Sequence, residues 1–281
     1  ESPRRREVGA RNRDILIFSD LDGTLLDHHT YRWDEARPAL DRCRDSGIPV
    51  IMVSSKTRAE MESLSKLTGL YWPFISENGG GVFFPAGCPY PPPSQAMREG
   101  GLWVWPLGTP RDSLVRSLQA INSKYGWALR GFSDMPLEEI SRITGLDPGA
   151  AERAARREFD EPFVASEELD IKALEQAASE LGLRVTRGGR FFHLFGGTDK
   201  GEAVERLIDW FKELRGKVLT IGLGDGPNDI PMLLRVDIAV LIRSCRPAEE
   251  VAAKVPGIRI TAAAGPAGWN EAVLELLDHH L

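Results

Sequence analysis

The stretch ILIFSDLDGTLLD, residues 15–27, runs from an apolar segment into Asp20, Asp22 and Asp27, with Gly23 and Thr24 between them. Ile15 to Phe18 read as a buried strand. Carboxylates at the end of such a strand repel one another and are costly to desolvate, so something positive is expected among them. In an open parallel sheet, ligands bind outside the carboxyl ends of the strands, and residues just after each apolar run converge there. Applied along the chain, that rule collects Asp20 and Asp22, Ser54 after IPVIMV, Lys200 at the start of a helical segment, and Asp225 with Asp229 after VLTIGLG.

Those apolar runs alternate with segments of helical periodicity, the pattern of an α/β protein with a Rossmann-like, mainly parallel sheet. DILIFS is followed by an amphipathic stretch from Asp34 to Ser46, and IPVIMVSS by a helix with a capping box, Thr57 to Glu60, that ends at Gly69. The rhythm returns in KGEAVERLIDWFKELRG, VLTIGLG, DIAVLIR, IRIT and a last helix near Trp269. The middle departs from it. After CPYPPPSQAMREGG, dense in Pro and Gly, short strands and helices alternate irregularly, including a helix expected from Glu167 to Leu181. This predicts a core of residues 12–88 and 196–281 with an inserted α+β cap at 89–195. The link near Pro91 and the pair Gly196 and Gly197 are the expected hinges, and Trp103, Trp105 and Trp127 read as cap core.

Composition narrows the function. The chain has 281 residues, 42% hydrophobic and 27% charged, with a net charge of −6, which disfavours a broad nucleic-acid face. No apolar run approaches the roughly 20 residues that span a bilayer, and Arg4 to Arg6 are followed by no signal-like segment. Cys43, Cys88 and Cys245 fit no disulfide or zinc spacing and suit a reducing, cytoplasmic setting. Nothing in the pattern sets an oligomeric state.

Phosphoryl transfer is the chemistry these groups suit. Asp20 can attack phosphorus to give an aspartyl-phosphate, while Asp22, displaced by the turn at Gly23, protonates the leaving oxygen and later activates water. A hard cation held by Asp20, Asp225 and a backbone carbonyl would offset the crowded charge, and Mg²⁺ fits best; Asp22 and Asp229 complete the candidate metal-site residues, Asp229 as a ligand or as support from behind. Lys200 can neutralise phosphate and nucleophile together, and the Ser54 hydroxyl can receive a phosphate oxygen. Lys56 can reach the phosphate or its ester, or be a solvated helix-start lysine. Glu77 and Asn78, on the glycine-rich SENGGG turn, suit sugar hydroxyls; the competing reading is a turn that needs positive φ at Gly79 or Gly80. Arg157, Glu158 and Glu161 bind hydroxyls or pair with one another.

DLDGTLL, VSSKT, GTDKG and GLGDGPND resemble, in order, the four motifs of the haloacid dehalogenase superfamily of phosphohydrolases. ISENGGGV, REFDEPF and GGRFFH resemble segments of the mannosyl-3-phosphoglycerate phosphatases. That resemblance implies a core and a large cap, Mg²⁺ dependence, and release of mannosylglycerate, a compatible solute. It places Arg190 and His193 as cap residues facing the substrate, the His having a structural alternative. Lys56, Glu77, Asn78, Gly79, Arg157 and Asn228 are the further candidate substrate contacts. Phosphatases for glucosyl-3-phosphoglycerate or sucrose phosphate, a sugar phosphomutase, and a non-catalytic phosphosugar-binding regulator are the alternative readings.

Overall fold

The computed structural model describes residues 14–166, 169–188, 191–244 and 247–281. The chain begins in β1 (Asp14–Ser19), α1 (Arg37–Asp45), β2 (Val50–Met52) and α2 (Arg58–Thr68). Thr57 and Glu60 form the expected reciprocal cap of α2, and Gly69, in the left-handed region, ends it. β3 (Phe74–Ser76), β4 (Gly81–Phe84), β5 (Met97–Glu99) and β6 (Leu102–Pro106) follow. Then come α3 (Arg111–Tyr125), β7 (Arg130–Gly131), α4 (Leu137–Thr144), α5 (Pro148–Ala155), β8 (Glu161–Val164), α6 (Ile171–Ser179), β9 (Leu183–Gly188) and β10 (Phe191–Gly196). The return consists of α7 (Lys200–Arg215), β11 (Val218–Gly224), α8 (Ile230–Leu233), β12 (Ile238–Arg243), α9 (Glu249–Lys254), β13 (Arg259–Ala264) and α10 (Gly265–His280).

Among the described residues, the central sheet is parallel and runs β13-β12-β11-β1-β2. Its two faces bury separate apolar layers, because alternate residues of β1 point to opposite sides: Ile15 and Ile17 join one layer, Leu16 and Phe18 the other. Register sets the site. Ser19 lies opposite both Leu223 of β11 and Met52 of β2. Asp20, Asp225 and Ser54 therefore leave the sheet one or two residues later, on the same rim.

The insertion begins later than the Pro-rich turn suggests. β5 and β6, expected in the cap, instead extend an antiparallel sheet of order β3-β4-β6-β5. Leu102 and Val104 pack into one core layer, and Trp105 and Leu107 against the other. Alternation along β6 carries Trp103 to the far side, where it is 39% exposed, so neither Trp103 nor Trp105 is cap core. Trp127 does pack in the cap, stacked on Tyr125 at 4.3 Å.

The cap sheet is antiparallel, in the order β7-β8-β10-β9. Phe163, Phe192 and Leu194 turn one face toward Leu114, Leu118 and Leu174 of the cap helices. The helix expected from Glu167 starts at Ile171, capped by the Asp170 carboxylate; Glu167 itself lies outside the described residues. The connections between core and cap pass through 107–110 and 196–199 rather than near Pro91. They run side by side, with the Thr109 amide donating to the Gly196 carbonyl at 2.9 Å. No described helix is long and apolar enough to cross a membrane.

Candidate active site

Asp20 sits where β1 ends, buried, with its amide bound to the Leu223 carbonyl at 2.9 Å. Lys200, the first residue of α7, is equally enclosed. Its Nζ donates to Asp20 Oδ1 and to Asp229 Oδ1, both at 2.8 Å. Asp229 Oδ2 accepts from the amides of Asp225 at 3.0 Å and Gly226 at 3.2 Å, which folds the GDGPND loop toward Asp20. Burial first, then Asp229 and Asp225, push the Asp20 carboxyl up to about 8 against the opposing pull of Lys200. Burial works against the Lys200 charge as well, but Asp20 and Asp229 outweigh it and hold the ammonium above the ordinary lysine range.

A hard cation fits this arrangement. Carboxylate oxygens of Asp20, Asp225 and Asp229 lie within 4.8 Å of one another, an all-oxygen donor set. Asp229 is engaged on both oxygens, by Lys200 on one and by the amides of Asp225 and Gly226 on the other. Gly23 makes room for the cluster: its φ is +84°, and a Cβ there would lie 2.7 Å from Asp225 Oδ2. Asp22 stands apart from the acid cluster. Its Oδ2 pairs with Lys56 Nζ at 2.8 Å, and its buried Oδ1 has no hydrogen-bond partner among the described residues. Asp27 is not in the site either; it caps its own loop by accepting from His29 and Thr30.

Ser54 is buried, and its Oγ accepts the Lys56 amide at 3.2 Å, which leaves the hydroxyl proton for a ligand. Asp20, Asp22, Ser54, Lys56, Asp225 and Asn228 form the core side of a cavity of about 1310 Å³. From the cap, Arg157 and His193 reach the same wall. Arg190 lies outside the described residues.

The SENGGG turn does not face that cavity. Both Glu77 oxygens accept cap amides, those of Glu158 at 3.0 Å and Phe159 at 2.8 Å, so the side chain ties core to cap instead of binding sugar. Burial pushes its carboxyl up to about 7, against the pull of Arg157. Asn78 and Gly79 are also buried off the cavity wall. Gly79 has φ +102°, and a Cβ there would meet the Asp199 carbonyl oxygen at 2.2 Å, so the positive-φ reading of this turn holds. Glu161 is structural too, held by Arg111 at 2.7 Å and the Ser133 amide at 2.7 Å. Sequence reasoning passed over Tyr31, Arg153 and Arg187, which line the cavity from a loop, a helix and a strand. It also missed Asp160, which holds His193; the one local signal was an acid between two phenylalanines in REFDEPF.

Residues 17–86 match the haloacid dehalogenase-like hydrolase family. The chain is 43% identical to the glucosyl-3-phosphoglycerate/mannosyl-3-phosphoglycerate phosphatase of Persephonella marina, over 94% of this chain and 97% of that protein. It is 39% identical to the protein of the same name from Methanococcoides burtonii, over 93% and 97%. Among solved structures, the sucrose-phosphatase from Synechocystis, in complex with sucrose and phosphate, shares the fold with a TM-score of 0.61 at 15% identity, over 95% of this chain and 98% of that one. With an acid cluster at the rim of a parallel sheet, a cap over it and relatives that match nearly end to end, the chain belongs to the haloacid dehalogenase-like phosphatases, in the family of the glucosyl-3-phosphoglycerate/mannosyl-3-phosphoglycerate phosphatases.

Proposed function

We propose that this phosphatase hydrolyses mannosyl-3-phosphoglycerate, and its glucosyl counterpart, to the glycosylglycerate and inorganic phosphate. The observation that carries the reading is Asp20, enclosed at the end of β1, 2.8 Å from Lys200 and on the wall of a cavity shared by core and cap. An Asp20 oxygen attacks phosphorus, the bond from phosphorus to the glyceryl oxygen breaks, and Asp22 supplies the proton that the departing oxygen takes up. Water, giving its proton to Asp22, then cleaves the aspartyl-phosphate and restores Asp20. Throughout, Lys200 holds positive charge beside the nucleophile, and the Ser54 hydroxyl donates to a phosphate oxygen. Asp20 and Asp225 would hold Mg²⁺, with Asp229 behind them, and the ion would add positive charge at the phosphoryl group.

The cap side of the cavity suits a glycosylated acid. Arg153, Arg157 and Arg187 lie on its wall, with Lys56 facing them from the core side, and offer cationic partners for a carboxylate. Mannose and glucose differ at a single hydroxyl, and the dual names of the relatives favour acceptance of both. The product is a compatible solute, and free thiols at Cys43 and Cys88 support a cytoplasmic setting.

Phosphate release from mannosyl-3-phosphoglycerate, glucosyl-3-phosphoglycerate, sucrose phosphate and hexose phosphates tests the proposal. The two glyceryl esters are expected to be turned over far faster than the others. Equal rates on simple hexose phosphates would overturn the glyceryl preference, and an isomerised sugar phosphate without free phosphate would mark a mutase.

A further inference from the structure

Asp160 lies just before β8, inside the cap, and is fully buried. Its Oδ2 is 2.7 Å from His193 Nδ1 and accepts from Arg157 at 3.2 Å, while Oδ1 is buried without a partner among the described residues. Arg157 uses the same nitrogen to reach the Ser55 carbonyl at 2.6 Å, next to Ser54 on the core side. One continuous path thus runs from the core rim through Arg157 and Asp160 to His193.

His193 is well placed at the end of it. In register on the cap sheet it lies opposite Pro162 of β8 and Thr186 of β9, and all three line the cavity, while Phe192 and Leu194 turn the other way. A carboxylate oxygen only accepts, so Nδ1 donates, and Nε2 is the ring nitrogen left for a ligand. Burying a carboxylate is costly, and an apolar side chain would fill the space more cheaply were packing the only need.

We propose that Asp160 is a positioning residue for substrate recognition: it fixes His193 as the Nδ1–H tautomer and, through Arg157, locks the ring to the core rim so that Nε2 meets a hydroxyl at the sugar–glycerate end of the substrate. The inference rests on the proposed glyceryl ester reading. Asp160→Ala frees the ring, and Asp160→Asn provides the internal control. Its amide oxygen can take the place of Oδ2, with the NH₂ group in the partnerless Oδ1 position, so both hydrogen bonds survive without the charge.

The experiment compares KM and kcat for mannosyl-3-phosphoglycerate with turnover of p-nitrophenyl phosphate, which lacks that end. Asp160→Ala should raise KM for the sugar ester roughly tenfold to a hundredfold, with a smaller change in kcat. Its preference for the sugar ester over the small ester should fall by a similar factor. His193→Ala should show the same pattern, the double variant should be no worse than His193→Ala alone, and Asp160→Asn should restore most of the preference. Nitrogen-15 spectra of the neutral ring should place the proton on Nδ1 in the wild type and in Asp160→Asn. Parallel loss on both esters, additive effects in the double variant, or a proton on Nε2 in the wild type would overturn the proposal. If Asp160→Ala does not fold, Asp160→Asn and the wild-type spectrum still decide it. A wild type that turns over only the small ester would refute the substrate reading, while the tautomer would still be read separately.

Discussion

Lys200 Nζ lies 2.8 Å from Asp20 Oδ1 although 180 positions separate them in the chain, and the same nitrogen bonds Asp229. All three side chains are buried. Lys200→Met therefore strands carboxylates without their cation, and should cost about 3–5 kcal/mol of stability. Phosphatase activity should fall by at least ~10²-fold as well, as when a charge-stabilising donor is removed. Urea unfolding and phosphate release measured on the same preparation check both.

Asp22 offers a different signature. Its role as proton donor predicts a loss of about 10²–10⁴-fold in kcat for Asp22→Asn on a sugar ester. The loss should be much smaller on p-nitrophenyl phosphate, whose leaving group departs without a proton. Asp20→Asn, lacking the nucleophile, should abolish turnover of both, so equal losses in Asp22→Asn would assign Asp22 another role.

At Gly23 the prediction comes from space and backbone together. With φ at +84° and Asp225 Oδ2 at 2.7 Å from an added Cβ, Gly23→Ala strains the loop and displaces the carboxylate. A destabilisation of about 1–3 kcal/mol is expected, with the Mg²⁺ concentration for half-maximal activity raised roughly tenfold or more. Titration of activity against the metal measures the second effect independently of the first.

Chelation should stop hydrolysis without unfolding the chain, since the apolar layers on both faces of the sheet involve none of the acids. Restoring Mg²⁺ at about a hundred times its dissociation constant should add about 2.7 kcal/mol of stability. Asp225→Asn should lose that increment. Hydrolysis that survives chelation would remove the metal from the account.

Glu77 gives the fold a pH dependence of defined sign. Its carboxyl is raised from 4.5 to about 7 in the folded chain, so the folded state holds the extra proton between those values. The resulting stability is fully present below pH 4.5 and lost as pH rises through about 7, amounting to about 3 kcal/mol. Asp20, raised to about 8, acts in the same direction, so the Glu77 contribution is read as the amount by which Glu77→Gln, which does not titrate, narrows the wild-type difference in stability between pH 5 and pH 8.

The legible part of this protein is the part written locally. An apolar run ending in two acids, and a capping box before α2, announce themselves within a few residues; the order of the parallel strands then brings Asp20, Ser54, Lys200 and Asp225 together. Glu77, Asp160 and the β5–β6 hairpin were misread or missed for one reason. Each is defined by a partner far along the chain: the amides of 158 and 159 for Glu77, His193 for Asp160, and β4 for the hairpin. A proline-rich turn looks the same whether the next strand starts a new unit or doubles back onto the old one.

The two strands of chain that carry the cap are bonded to each other where Thr109 meets Gly196. The roof is fastened elsewhere as well, where Glu77 clasps the amides of 158 and 159 and Arg157 holds the Ser55 carbonyl, so a tilt about the paired tethers has to release those clasps first. Comparison of crystal forms should accordingly show rotation about this pair only where those clasps are broken, and exchange of roofs among relatives would require partners for Glu77 and Arg157 as well as a compatible joint.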